Sequence, residues 1–251
     1  MSDFVQSLER GIAVLRSFDG EAPRQTLADV ARATGLTRAT ARRLLLTLEH
    51  LGYARTDGKH FELTPRVLDI GYSFVASLNL TQIAQPYLEA LSEEVAESVS
   101  VSVLDDTDIV YVARVPTKRI MTVAIGLGSR FPAYQTSMGR AMLAELADDE
   151  IVDVFERSDH TRTTPNTVTS ADELLEHIAA VRADGWCLVD QELEAGVRSL
   201  AAPIRDATGA AVAAVNVSTH AGRTDLAQIH EFFAPRLLAT VTSISDALAR
   251  R

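Results

Sequence analysis

Residues 26–63 constrain this chain more than any other stretch. A short helix reads over Leu27–Thr34 and stops at Gly35, a second reads over 37–51, and two short alternating strands follow, joined at Asp57-Gly58. Helix, turn, helix and hairpin in that order predict a winged helix-turn-helix, with an arginine-bearing helix placed to enter a DNA major groove. Thr26 stands ahead of the first helix with Asp29 three residues on, the spacing of a capping box. Asp57-Gly58 predicts a two-residue hairpin with a type I′ turn, and Lys59 lies at its tip as a wing residue.

In the second helix Ala41, Leu44, Leu45, Leu48 and Leu51 make one apolar stripe. Arg38, Ala39, Arg42 and Arg43 fall on the opposite side, and Thr40 borders it. These early-helix positions reach base edges or phosphates when a recognition helix docks. The competing reading is a solvated helix face on a protein that never meets nucleic acid. Upstream, Phe4, Leu8, Ile12, Leu15 and Phe18 recur at helical spacing and predict an amphipathic first helix that floors this small domain.

Net charge is −10 over 251 residues, which looks wrong for a DNA binder until it is divided. Residues 1–65 carry nine Lys/Arg against eight Asp/Glu, while residues 66–251 carry 15 against 26. The acidic excess lies outside the DNA module, where it opposes nonspecific phosphate contact. A single cysteine, Cys187, excludes an internal disulfide and a thiolate metal cluster. No apolar run is long enough to span a bilayer, and the first residues lack a secretory pattern, so the expectation is a cytoplasmic protein with no membrane partner.

Three domains are expected: the winged helix-turn-helix over 1–65, a linker helix over 66–79 and an effector-binding domain over 80–251. Thr64 and Pro65 read as the N-cap and first turn of the linker. Val67, Gly71, Phe74 and Leu78, with Leu68 and Val75 beside them, make a stripe too apolar to stand alone. It predicts packing on a second copy or on the first helix, hence a homodimer. A dimer would set two recognition helices about 34–36 Å apart, one turn of a double-stranded operator.

Beyond residue 80 the pattern is α+β. Strands read over 98–104, 109–115, 120–125, 186–190, 199–204 and 211–218. Helices read over 137–146, 148–155, 170–181, the last opening on a Ser170–Glu173 capping box, and from about residue 224 to the end. Catalytic signatures are missing: no nucleophile elbow, phosphate loop or paired histidines at metal-ligand spacing. Neither an enzyme, a metal site nor a cofactor is expected. Asp190, Glu192 and Glu194 are read as a polar pocket rim or a solvated loop rather than an acid–base cluster. The alternatives are an enzyme acting on a small carboxylic acid with a DNA-binding appendage, or an interaction protein with an empty sensory domain.

Taken together, the helix-turn-helix, the segment 128–140 and the stretch 190–206 resemble the IclR family of bacterial transcription regulators over essentially the whole chain. Residues 114–121 and 189–199 resemble its β-ketoadipate-pathway branch, the PcaR, PcaU and PobR regulators of aromatic catabolism. The resemblance implies a dimer or dimer of dimers and a C-terminal GAF-like domain. It also implies a small-molecule carboxylate effector of the protocatechuate, 4-hydroxybenzoate or β-ketoadipate class. Carried over by motif, its pocket positions are Ile120, Val123, Ser137, Met138, Asp190, Ser199, Asn216 and Ser218. Ser199 stands where many members have cysteine. The loop before Gly196 is shorter than usual, with Gln191 replacing an acid and taking over part of its contact. From the residues themselves, Asn216 and Ser218 are two apart on a strand and share a face. Ser137 and the first N–H groups of its helix can hold a carboxylate. Arg114 and Arg119 are candidate carboxylate partners, against the alternative of plain surface arginines.

Overall fold

The computed structural model describes residues 4–71, 80–117 and 125–250. The chain divides into two compact units, Met1–Ser77 and Leu78–Arg251.

In the first unit, α1 (Gln6–Arg16), β1 (Arg24–Thr26), α2 (Leu27–Thr34), α3 (Arg38–His50), β2 (Ala54–Thr56) and β3 (His60–Leu63) follow in order. Thr26 and Asp29 cap α2 reciprocally, Asp29 N–H donating to Thr26 Oγ1 and Thr26 N–H to the Asp29 carboxylate. Gly35 ends α2 at φ +65°, a conformation that favours glycine. Thr37 opens α3 by accepting from Thr40 N–H at 3.2 Å. The core is Val14, Val30, Ala41, Leu45 and Phe61, with Leu44 packed at its edge.

Three expectations change in this unit. First, Phe4, Leu8 and Ile12 are 61%, 63% and 47% exposed; α1 buries Val14 instead, so only the end of the expected stripe reaches the core. Second, the wing is a longer turn than type I′, because Thr56 pairs with Phe61 and, of the loop residues, only Gly58 has positive φ. Asp57 Oδ1 accepts from Lys59 N–H and His60 N–H at 2.9 and 2.7 Å, closing the loop through a side chain where backbone pairing was expected. Those same bonds hold the Asp57 carboxyl well below the usual carboxylate range. Third, β1 joins the wing as an extra strand in the order β1-β3-β2.

Pro65–Val67 forms a 3-10 turn, and Thr64 Oγ1 donates to Gly52 O, leaving the N-cap role unfilled by its side chain. Phe74, Val75 and Leu78 of the linker stripe lie outside the described residues.

The second unit opens with a helix the sequence reading missed, α4 (Leu80–Val95), though Leu80, Ala84, Leu88, Leu91 and Val95 mark it at helical spacing. Then come β4 (Ser98–Asp105), β5 (Asp108–Val115), β6 (Arg130–Pro132), α5 (Ser137–Leu143), α6 (Asp148–Arg157), α7 (Ala171–Asp184), β7 (Cys187–Asp190), β8 (Val197–Arg205) and β9 (Ala211–His220). Ser170 accepts from Glu173 N–H to cap α7, while the Glu173 carboxylate answers at Thr169 N–H, one residue from the expected box. The chain ends in α8 (Leu226–Gln228), a π turn over Ile229–Phe233 and α9 (Ala234–Ala249); Pro235, with no N–H to give, sits where that wide turn closes. The strands form one antiparallel sheet ordered β6-β5-β4-β9-β8-β7, an α+β, GAF-like fold.

Strand periodicity divides this sheet cleanly. Val99, Val101, Val103, Leu200, Ala202, Val215 and Val217 face α4 and α9 in one core. Ile109, Tyr111, Cys187, Val189, Ala201 and Ala214 face α5, α6 and α7 in the other. On that second side Ser100, Ser102, Asn216 and Ser218 are buried as well. A sheet covered on both faces has no need of polar side chains, so this row marks the place where the fold leaves a hole.

Candidate functional site

The first unit offers an outward face. On α3, Arg38, Ala39, Arg42 and Arg43 are exposed and Thr40 is half-buried, with its Oγ 3.0 Å from Thr37 Oγ1. Arg38, Arg42 and Arg43 have no carboxylate partner among the described residues. Arg55, the fourth arginine of the cluster, differs: its Nε donates to Glu62 at 2.7 Å. Lys59 is exposed on the wing loop. Three unneutralised guanidinium groups on the first two turns of a capped helix form a cationic face suited to phosphate or base edges.

The second unit offers a cavity of about 250 Å³ between the sheet and the start of α5. Ser137, Met138, Ser199, Asn216 and Ser218, all expected from sequence, line it. Asn216 Nδ2 donates to Ser199 Oγ and to Ser218 Oγ, both at 2.9 Å. Ser199 Oγ lies 2.8 Å from Ser137 Oγ. The direction of this network matters. With both Asn216 protons given away, Ser199 can pass its own proton to Ser137, and the Ser137 and Ser218 hydroxyls keep theirs to offer a ligand. Asn216 Oδ1 is left buried without a hydrogen-bond partner among the described residues, an unmet acceptor of the kind that native interiors avoid.

Packing fixes where this polar end sits. A Cβ on Gly139 would fall 2.1 Å from Ala133 O, so only glycine lets the 3-10 turn at Ala133–Gln135 lie against α5. Arg140 is fully buried and forks onto Glu192, with Nη1 2.8 Å from Oε1, while its Nε donates to Tyr134 O at 2.7 Å. Three threonine hydroxyls, on Thr163, Thr164 and Thr167, donate to Glu192 O. The loop after β7 is thereby pinned, and its Leu193 and Glu194 become walls of the cavity.

Other expected positions lie elsewhere. Asp190 does not line the cavity. Val189 faces it, and the next residue on a strand points the other way, where the Asp190 carboxylate pairs with Arg198 Nε at 2.8 Å. Gln191 also turns aside: at φ +60°, its Oε1 accepts from Gly196 N–H at 3.1 Å, holding the loop in shape. Asp190, Glu192 and Glu194 therefore form no carboxylate cluster, since two of the three are committed to separate arginines. Arg114 is half-buried, is not a cavity wall, and donates to Ser100 Oγ at 3.3 Å; burial lowers its pKa. It shares a cross-strand row with Ser100 and Asn216. Arg119, Ile120 and Val123 lie outside the described residues.

Sequence reasoning missed the apolar walls Tyr111, Ile125, Phe131, Val189 and Leu193. One signal could have found this face: in residues 98–103 serine and valine alternate strictly, and a strand polar on one side yet flanked by covering helices marks the face that borders the cavity. Its own serines bond to Thr117, Arg114 and Met138 and are not cavity walls. No group of three His, Cys, Asp or Glu among the described residues could hold a metal ion. Among them, too, no helix is long and apolar enough to cross a membrane.

Comparison with known proteins supplies the remaining findings. The profile of the IclR helix-turn-helix domain matches residues 7–58, and that of the bacterial transcriptional regulator IclR C-terminal domain matches residues 72–246. The Pca regulon regulatory protein of Pseudomonas putida is 43% identical over 98% of this chain and 85% of its own length. A crystal structure of a Rhodococcus sp. RHA1 protein, 59% identical, superposes with a TM-score of 0.87 over 98% of each chain. An IclR homologue from Microbacterium hydrocarbonoxydans, complexed with 4-hydroxybenzoate, shares the fold at 23% identity, with a TM-score of 0.84 over 96% of this chain and 98% of that one.

Proposed function

The chain belongs to the IclR family of bacterial transcriptional regulators, and on that premise we propose that it is a cytoplasmic switch for aromatic-catabolism genes. It binds a palindromic operator through α3 and the wing, as a homodimer or dimer of dimers, and its cavity takes a small carboxylate effector of the protocatechuate, 4-hydroxybenzoate or β-ketoadipate class. The observation that carries the effector reading is the buried Ser137–Ser199–Asn216–Ser218 network, which turns hydroxyl donors toward a mostly apolar hole. Such a hole suits an apolar body with an oxyanion at one end. The kinship with the Pca regulon protein supports the same class.

Operator contact is assigned to Arg38, Ala39, Thr40, Arg42, Arg43 and Lys59. Self-association is supported by the exposed Phe4, Val5, Leu8 and Ile12, an apolar face that α1 leaves in solvent. Sedimentation of Leu8→Glu with Ile12→Glu tests it: a smaller particle is expected, and an unchanged mass would move the interface elsewhere.

The effector reading is tested by thermal stabilisation against protocatechuate, 4-hydroxybenzoate, β-ketoadipate, catechol and glyoxylate. A ligand at 100-fold its dissociation constant adds about 2.7 kcal/mol. Ser137→Ala with Ser199→Ala should abolish the gain. Stabilisation by glyoxylate alone would reject the aromatic class and keep the family. An effector acts on the operator only through different affinities for two states of the protein, so the stabilising ligand must also shift operator affinity in a mobility assay.

A further inference from the structure

Two polar atoms on the sheet side of the cavity lack hydrogen-bond partners among the described residues. One is Asn216 Oδ1. The other is the hydroxyl of Tyr111, a residue 6% exposed that lines the same cavity. Tyr111 is held firmly. Its N–H donates to Ser129 O at 3.0 Å, its carbonyl accepts from Gly128 N–H at 2.8 Å, and Phe131 meets its ring edge-on at 5.8 Å. Burial pushes the phenol up to about 12, so it remains a proton donor at any working pH.

The two residues stand on different strands of the sheet. Tyr111 pairs with Ser102 on β4, whereas Asn216 pairs with Ser100 on the other side of that strand. Adjacent strands lie about 4.8 Å apart, so β5 and β9 are separated by roughly 10 Å, with the apolar walls Ile125, Phe131, Met138 and Leu193 around the space they share. An acid with a single polar group, seated on the serines, would leave the Tyr111 hydroxyl buried and unmatched.

We propose that Tyr111 is a specificity-determining residue: its hydroxyl reads a second polar group on the effector, which is therefore a bifunctional acid, carrying a hydroxyl, a keto group or a second carboxylate across an apolar body from the first. This rests on the effector reading above and narrows it. A monofunctional acid with a similar apolar body forfeits that buried hydrogen bond, and sites built around such a bond discriminate strongly against ligands that lack the group.

Titration calorimetry on the full chain tests the inference, with benzoate against 4-hydroxybenzoate and pentanoate against β-ketoadipate, for wild type and Tyr111→Phe. In at least one pair the bifunctional acid should bind wild type at least about tenfold tighter. Tyr111→Phe should bring that ratio close to one while leaving the affinity for the monofunctional acid and the unliganded melting temperature unchanged, since the ring stays in place. Equal affinities within both pairs, or a ratio that survives Tyr111→Phe, overturns the role of Tyr111 and leaves the effector reading standing. If neither these four acids nor protocatechuate binds folded wild type, the effector reading fails and the inference falls with it.

Discussion

The α3 face of the first unit and the sheet domain of the second use arginine in opposite ways, although Arg24, Arg32 and Arg55 of the first unit are also paired. In the second, Arg130, Arg140, Arg157, Arg182, Arg198, Arg205 and Arg236 each hold a carboxylate. In the first, Arg38, Arg42 and Arg43 stand exposed on one helix with no such partner among the described residues. A guanidinium already neutralised serves the fold; one left bare in water is available to a partner. The acidic excess of residues 66–251 is consistent with that division, because carboxylates left unneutralised there repel phosphate.

The largest effect that would break this contrast lies inside the cavity domain. Glu192→Ala strands the fully buried Arg140 without its counter-charge, and breaking a buried pair costs about 3–5 kcal/mol. Chemical denaturation should show that loss, together with loss of effector binding as Leu193 and Glu194 come free. A change no larger than that of an exposed pair such as Arg157–Asp153, at about 0.2–1 kcal/mol, would mean that the Arg140–Glu192 pair does not organise the pocket.

Next in size is the outward face. Arg42→Ala and Arg43→Ala should each weaken operator binding by about 1–3 kcal/mol where the arginine reads a base, or lower the salt slope by about 1 where it meets phosphate. Effector binding and thermal stability should be unaffected, since neither side chain is buried or paired. Equal loss of both activities would reject the division into an outward face and an inward one.

That division also explains what the sequence revealed. The recognition helix was legible because its function sits on one continuous segment. The stripe of Ala41, Leu45 and Leu48 places α3 on its core, and the arginines opposite follow from helical geometry alone. The cavity is assembled from β5, β8, β9 and the start of α5, far apart in the chain. Spacing put Asn216 and Ser218 on one strand face, and motif placed Ser137 and Ser199. Neither gives the register that sets Tyr111 opposite Ser102. Asp190 shows the same limit: one residue along β7 separates the cavity side of the sheet from the Arg198 side, and a motif match carries no face. α1 misled for a different reason. Apolar spacing reports a face to be covered without saying by what, and most of that face is left bare in the isolated chain.

A smaller effect belongs to the first unit alone. Thr26→Ala removes the side-chain half of the α2 capping box, the bond from Asp29 N–H to Thr26 Oγ1, for a loss of about 1 kcal/mol. Operator affinity should fall by no more than this, because α3 carries its own cap at Thr37. A larger fall would mean that α2, and with it β1 and the wing, takes part in the DNA contact. Gel-shift and melting measurements on one preparation would separate the two.

The smallest effect reads the two units apart. Cys187, the chain's single cysteine, lies fully within the second unit's core, where burial pushes its thiol up to about 12. The folded protein thus keeps a proton that the unfolded chain releases above the ordinary thiol value of 9.0, so stability falls as pH rises from there toward about 12. Tyr111, raised to about 12 by the same cause, adds to the fall above its ordinary 10.0. Since the buried thiol reacts only when the second unit opens, its alkylation rate reports on that unit and is silent about the first. A cavity ligand should slow alkylation in proportion to its occupancy. Operator DNA, bound at the other unit, should slow it only as far as operator binding is coupled to opening of the second unit, and by reciprocity operator DNA must change the cavity ligand's affinity by the factor by which the ligand changes operator affinity. A ligand that slows alkylation yet leaves operator affinity unchanged would break the view of the cavity as the regulator of the helix.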